Sequence, residues 1–284
     1  MQLTFWGVRG SIATGGPQFT RVGGNTTCLE VQHGRDRLIL DAGTGLRALG
    51  DKLMRESRTL GAPVSARFLF SHLHWDHIQG FPFFAPAFVP TSEIQLYGPR
   101  GDDGATSLQA ALAQQMSPPS FPVSLEATAS RKRFATIEDR DELELGGFRV
   151  RTRRLCHPQG VLGFRIEAGG KSLCFATDTE HHEGDAVDEA LLELARDVDL
   201  LVYDAQYTPA EYRGENGTGP SRKGWGHSTY ESAAMIAKAA GARRLALFHH
   251  DPTHDDDMVE AIEAESKRLF SESFAAREQM TVCL

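Results

Sequence analysis

The sequence predicts an α/β fold in which two β-sheets lie between helical layers, and three observations predict it. Extended apolar segments and helical segments alternate in both halves of the chain, the pattern of sheets covered by helices. The 284 residues, 40% of them hydrophobic, suffice for a substantial core, whether as one large domain or two small ones. A dense cluster of imidazole and carboxylate side chains follows directly on the apolar run Ala66-Arg67-Phe68-Leu69-Phe70, and layered α/β folds collect their chemistry at such strand ends.

Taken in order, Gln2-Leu3-Thr4-Phe5-Trp6 reads as a first strand, and residues 7–25, rich in Gly and without apolar periodicity, as a loop long enough to be functional. Residues 27–33 and 37–41 are strands joined by the turn Gly34-Arg35-Asp36. Asp41-Ala42-Gly43-Thr44-Gly45 turns the chain into a helix, and residues 66–70 return as a buried strand. Residues 81–88 are aromatic and broken by prolines, suited to core packing or to a hydrophobic wall for a ring. A short helix over 107–116 ends at Pro118-Pro119. Gly169-Gly170 between residues 161–168 and 171–176 is a hairpin signal. Residues 186–195 are helical, 199–203 and 245–248 are buried strands, and 255–270 is an amphipathic helix. The helix over 228–240 has both ends written in sequence, with Ser228 as cap, Glu231 completing a capping box and Gly241 at the exit.

Net charge is −8, without the broad basic field of a protein that grips long nucleic acid, so long nucleic acid is not an expected partner. Arg131-Lys132-Arg133, a basic cluster near the middle of the chain, reads as a solvated strand end. No basic region followed by an apolar stretch opens the chain and no run nears ~18 apolar residues, so neither export nor membrane insertion is expected. Cys28, Cys156, Cys174 and Cys283 form no Cys-x-x-Cys pair and read as reduced thiols of a cytoplasmic protein.

Residues 71–80, Ser-His-Leu-His-Trp-Asp-His-Ile-Gln-Gly, place three imidazoles and one carboxylate within six positions. Neutral imidazole nitrogen and carboxylate oxygen suit zinc and other borderline divalent ions, so the cluster reads as a metal site rather than a His-rich surface loop. The spacing His-x-His-x-Asp-His resembles the signature of the metallo-β-lactamase fold superfamily. That resemblance implies a four-layer αββα sandwich in which His72 and His74 hold one metal and Asp76 and His77 the other. It further implies a distant His, a bridging Asp and a final His, matched by His157, Asp178 and His249, each after an extended apolar segment. His249 is the first residue after its strand and takes the last position, with the adjacent His250 as the alternative. Ligand positions running from 72 to 249 stitch most of the chain together and favour a single domain, 1–284. His33, His181, His182 and His254 read as solvated surface residues.

The chain further resembles the phosphodiesterase branch of that superfamily, which includes tRNA 3′-end nucleases and cyclic phosphodiesterases, through Tyr203-Asp204 and Gly226-His227-Ser228-Thr229. By match of position, Asp204 orients His227, and His227 donates a proton to the departing alkoxide. Within the branch it is most similar to small bacterial proteins sharing Phe5-Trp6-Gly7-Val8-Arg9-Gly10-Ser11, Gly80-Phe81-Pro82-Phe83-Phe84 and Phe248-His249-His250-Asp251-Pro252. The expectation is a hydrolase with two divalent ions, zinc with manganese or iron as alternatives, opening a small cyclic phosphodiester such as a cyclic nucleotide. A metal-bridging hydroxide would attack phosphorus, with Asp76 orienting it. Alternatives are a tRNA 3′-processing endoribonuclease and a non-enzymatic metal- or nucleotide-binding protein. The expected partners are a small anionic phosphodiester and, by resemblance, a second copy in a homodimer.

Overall fold

A computed structural model describes every residue except Asp102, Glu183 and Asp185. Six strands and one late strand form the first sheet: β1 (Gln2–Gly7), β2 (Cys28–His33), β3 (Asp36–Leu40), β4 (Ser65–Leu69), β5 (Glu93–Gly98), β6 (Arg131–Thr136) and β14 (Thr281–Cys283), in the order β14-β1-β2-β3-β4-β5-β6. The second sheet contains β7 (Glu142–Leu145), β8 (Phe148–Leu155), β9 (Val161–Ala168), β10 (Lys171–Ala176), β11 (Leu200–Asp204), β12 (Leu245–Phe248) and β13 (Ser273–Ala275), in the reverse order β13-β12-β11-β10-β9-β8-β7. Helices α1 (Leu46–Leu60), α2 (Trp75–Ile78), α3 (Leu108–Gln115), α4 (Glu189–Ala195), α5 (Pro209–Arg213), α6 (Tyr230–Ala240) and α7 (Asp256–Leu269) lie between them in sequence.

Three separate cores define four layers. Leu29, Leu40, Phe148, Phe164, Phe175 and Phe248 meet between the two sheets. On the outer face of the first sheet, Ile39, Phe68 and Leu96 pack against Leu46, Leu49 and Leu53 of α1. Outside the second sheet, Cys174, Leu201 and Leu247 pack against Leu191 and Leu194 of α4, Ile236 of α6 and Ile262 of α7. Within one strand the period of two decides the partner: Leu173 and Phe175 face the central core, Cys174 and Ala176 the helices. The αββα sandwich is therefore the observed fold.

Pairing from β3 to β6 and from β10 to β13 is parallel. β8 and β10 both run antiparallel to β9, so β8, β10, β11 and β12 all end on one edge of the second sheet. The loop after β4 meets that edge: Leu162 donates its backbone N–H to the Ser71 carbonyl at 2.9 Å. Gly80 closes the same loop onto the turn after β3, where a Cβ would lie 1.9 Å from the Gly43 carbonyl oxygen, so no other residue fits without a shift of backbone.

Several local expectations are corrected. The cap of α6 is Thr229, not Ser228, because Ser228 is drawn away: its N–H donates to Asp204 and its hydroxyl to the Thr179 carbonyl. Helix α4 starts at Glu189 rather than at 186, since the Asp188 carboxylate accepts from the Ala190 N–H and caps it there. His254 is buried and bonds Glu211 at 2.9 Å, and His181 is buried as well, so neither is a surface residue. Within residues 81–88 the rings divide: Phe81 and Phe84 pack in the core around Phe68, whereas Phe83 and Phe88 are exposed. Among the described residues no helix is long and apolar enough to cross a membrane.

Candidate metal centre

Four strand ends and one helix deliver the expected side chains to a single place. His72 and His74 follow β4, Asp76 and His77 occupy α2, and His157, Asp178 and His249 follow β8, β10 and β12. Donor atoms of His72, His74, His157 and Asp178 lie within 4.8 Å of one another, and so do those of Asp76, His77, Asp178 and His249. Asp178 belongs to both quartets. Its Oδ1 lies 3.2 Å from His77 Nε2 and 3.3 Å from His249 Nε2, and its Oδ2 3.7 Å from His72 Nε2. Asp76 Oδ2 is 3.4 Å from both His77 Nε2 and His249 Nε2.

Each of the five imidazoles is held by its other nitrogen. His72 Nδ1 faces Ser71 Oγ at 3.0 Å, His77 Nδ1 faces Asp41 Oδ2 at 2.9 Å, His157 Nδ1 the Gly226 carbonyl at 3.0 Å and His249 Nδ1 Gln206 Oε1 at 2.9 Å. His74 is reversed, with Nε2 on Gln159 Oε1 and Nδ1 turned inward, 3.3 Å from His157 Nε2. An oxygen acceptor on the outer nitrogen fixes the N–H there and leaves the inner nitrogen as a lone-pair donor, the arrangement a metal-binding imidazole needs. Ser71 Oγ can serve His72 as acceptor because its own proton goes to Asp41 at 2.8 Å.

The inner atoms test whether divalent ions fit. His72 Nε2, His77 Nε2 and His249 Nε2 are buried without any hydrogen-bond partner, a costly state for a polar atom unless something else binds it. Burial opposes protonation of His77, yet Asp178, Asp76 and Asp41 outweigh it and hold its pKa well above the ordinary value. That concentration of negative charge in a buried site is the field a cation would neutralise. The clusters thus suit a dinuclear divalent site, with donors that zinc, manganese and iron all accept.

The backbone contributes as well. Asp178 and His249 take positive φ values of 50° and 60°, as do Asp41 at 58° and Ser11 at 62°. The left-handed region costs a non-glycine residue on the order of 1–3 kcal/mol, and such residues gather where packing compels a particular side-chain direction. Ser11, in the loop before β2, donates its N–H to Asp76 Oδ2 at 2.7 Å, so the glycine-rich loop does reach the site.

Asp204 and His227 sit beside the ligands. Asp204 Oδ2 accepts from His227 Nδ1 at 2.8 Å and from the Asp178 N–H, while its Oδ1 accepts from the N–H groups of Gln206 and Ser228. The His227 ring stacks on that of His249 at 5.0 Å and lies 5.5 Å from that of His157. Burial disfavours its imidazolium, but the Asp204 carboxylate outweighs burial and pushes the His227 pKa up to about 9. His250, the alternative ligand, points elsewhere: its Nε2 meets the Ala276 carbonyl at 3.0 Å. Exposed Cys156 is in neither quartet.

Sequence reasoning missed the outer acceptors Asp41, Ser71, Gln159 and Gln206 and the Gly226 carbonyl. The one available signal was Asp41, a carboxylate placed like Asp178 and Asp204 at the end of an apolar strand. Asp41→Asn, which keeps the shape and tolerates the backbone, is expected to weaken divalent-ion affinity ~10- to 100-fold in competition with a chromophoric chelator. Unchanged affinity would remove Asp41 from the support of His77.

Residues 36–250 match the family model described as a beta-lactamase superfamily domain. Among curated proteins, the chain is 26% identical to a ribonuclease Z of Haloarcula marismortui, over 88% of this chain and 86% of that protein. It is 30% identical to an uncharacterized protein of Mycobacterium tuberculosis, over 72% of this chain and 68% of the relative. Among solved structures, the metallo-beta-lactamase fold protein YhfI from Bacillus subtilis superposes with a TM-score of 0.70 at 20% identity, covering 99% of this chain and 98% of that one.

Proposed function

This chain belongs to the metallo-β-lactamase superfamily, and from that premise we propose that it is a dinuclear-metal phosphodiesterase acting on a small phosphodiester, with a cyclic nucleotide as the leading candidate. The observation that carries the reading is the Asp204–His227 pair set against the two ligand quartets. His72, His74, His157 and Asp178 would hold one ion, and Asp76, His77, His249 and Asp178 the second. Bound there, divalent ions supply Lewis acidity and lower the pKa of water.

The protein's own groups do the rest. Asp204 fixes the ring of His227 and stabilises its charge, so His227 keeps a proton on Nε2 near neutral pH. As a water oxygen bonds to phosphorus and the P–O bond to the sugar breaks, that proton passes to the departing oxygen, and the proton given up by the water restores it afterwards. A sugar alkoxide leaves poorly, which is why a poised acid matters for this substrate class. Asp76 accepts from the Ser11 N–H with one oxygen and so keeps a fixed direction toward the reacting centre.

A second reading, tRNA 3′ processing, is favoured by the likeness to the ribonuclease Z of Haloarcula marismortui. Against it stand the net charge of −8 and the use of residues between His77 and His157 for strands β5 to β8 and helix α3 of the sandwich itself. A non-enzymatic binding role would use the ligand quartets but leave the Asp204–His227 pair without a task. We further take residues 1–284 as one domain, zinc as the resident metal, a homodimer as the assembly and, since the four cysteines form no Cys-x-x-Cys pair, the cytoplasm as the compartment.

The test is a panel of cyclic mononucleotides, cyclic dinucleotides, cyclic sugar phosphates, bis(p-nitrophenyl) phosphate and precursor tRNA, offered to metal-analysed protein. Metal-dependent turnover of a small diester, lost on chelation and restored by zinc or manganese, is expected. Cleavage of precursor tRNA alone would transfer the assignment to the second reading, and binding without turnover would leave a non-enzymatic role.

A further inference from the structure

The metal centre opens on one side into a cavity of about 440 Å³ bordered by His72, His74, Trp75, Gln115, Gln159 and Arg100. A second cavity of about 360 Å³ continues from it past Arg100, Gln159 and Gly160 to Arg154. Gln159 ties the groove to the site, since it also holds the outer nitrogen of His74. The groove therefore begins at the metal ligands and ends at two guanidinium groups.

Both arginines are exposed, and neither side chain makes an ion pair or hydrogen bond among the described residues. Three described carboxylates line the groove, Asp103, Glu138 and Asp139, and two of them are occupied. Asp103 accepts from the backbone of Ala105 and Thr106 and from the Thr106 hydroxyl, while Asp139 accepts from the Arg154 backbone and from Arg153. Gly160, at φ 77°, lets the Arg154 guanidinium lie close to the backbone where a Cβ would be only 2.2 Å from it. Trp75 lines the first cavity together with His72, His74 and Arg100, and with 60% of its surface exposed it offers a flat apolar face to a polar groove. Aromatic faces of this kind stack nucleobases, and guanidinium groups match phosphate in geometry and charge.

We propose that the groove is a second phosphate subsite, so that the substrate is a diester carrying another phosphate one nucleotide away from the bond that is cut, with the intervening base against Trp75 and the distant phosphate between Arg100 and Arg154. This rests on the phosphodiesterase reading and narrows it to linear or cyclic dinucleotides. A 3′,5′-cyclic mononucleotide fills only the first cavity and leaves Arg154, which lines only the second, unused.

The test compares the dinucleoside monophosphate ApA with its terminally phosphorylated forms pApA and ApAp, which share one scissile diester. With metal-loaded wild type, one phosphorylated form is expected to exceed ApA by ~10-fold in kcat/KM, mostly through KM, since each charge-assisted contact strengthens binding. In the Arg100→Ala/Arg154→Ala protein that ratio is expected to fall within about twofold of unity, with Arg100→Lys/Arg154→Lys restoring part of it. Dissociation constants from tryptophan fluorescence of the metal-free proteins should give the same pattern. Equal values for all three ligands in wild type, or a preference that survives in the double variant, overturns the subsite. If no ester turns over, bis(p-nitrophenyl) phosphate included, the phosphodiesterase reading fails, and the binding ratio still decides the subsite.

Discussion

Replacing Asp178 by Asn is expected to deprive the protein of both ions and to lower turnover of any diester by ~10³-fold or more. The side chain sits in both ligand quartets, and its two oxygens face His72 on one side and His77 and His249 on the other. Asn keeps the volume and tolerates the positive φ of 50°, so the fold has no reason to change. What disappears is a negative charge and one of two oxygen donors shared by both sites. Lewis-acid stabilisation of a phosphoryl transition state amounts to several kcal/mol, and each ~1.4 kcal/mol is tenfold in rate, which sets the expected size. Elemental analysis after dialysis should find the metal content falling from two ions per chain toward none. Asp76→Asn touches only the second quartet and should leave one ion in place. A Asp178→Asn protein that kept both ions and more than a tenth of the rate would disprove the bridging assignment.

The members of the two clusters were legible in sequence because they follow apolar strands, and parallel strands deliver their ends to a common edge. Local chemistry alone could place His72 to His77. The convergence of His157, Asp178 and His249 required the resemblance, since no residue-level rule pairs position 72 with position 249. Strand counting favours His249 over His250, and the geometry agrees in direction: the first residue past Phe248 turns at φ 60° into the second cluster, while the second returns to bond Ala276.

The acceptors behind the imidazoles were hidden for a different reason. Gln159, Gln206 and the Gly226 carbonyl matter by direction, and direction is a product of tertiary packing that no spacing records. Ser228 shows the same limit from the other side. Its sequence context promises a helix cap, yet Asp204 and Thr179 capture its polar groups and move the cap to Thr229. Similarly, β5, with Ile94 and Leu96 alternating with Glu93, Gln95 and Tyr97, is a strand beyond those expected, obscured by the proline-broken aromatic stretch before it. The short strands β13 and β14 gain their partners only once β12 and β1 are in place.

His227→Ala separates proton donation from metal binding. The ring lies outside both quartets, stacked on His249 and edge-on to His157, so two ions per chain should remain. Loss of a general acid costs ~10²- to 10⁴-fold where the leaving group needs a proton. That full loss is expected for dinucleotides and cyclic nucleotides, whose sugar oxygen departs as an alkoxide. For bis(p-nitrophenyl) phosphate the nitrophenolate leaves unaided, and a fall of less than ~10-fold is expected. Asp204→Asn should act in the same direction by freeing the ring. It should also move the alkaline fall of kcat to lower pH, because the carboxylate is what holds the His227 pKa up against burial. The comparison of esters is decisive, since a merely structural His227 would depress both classes alike. Equal losses, or loss of metal along with activity, would return His227 to the role of a packing residue and leave the departing oxygen without a donor.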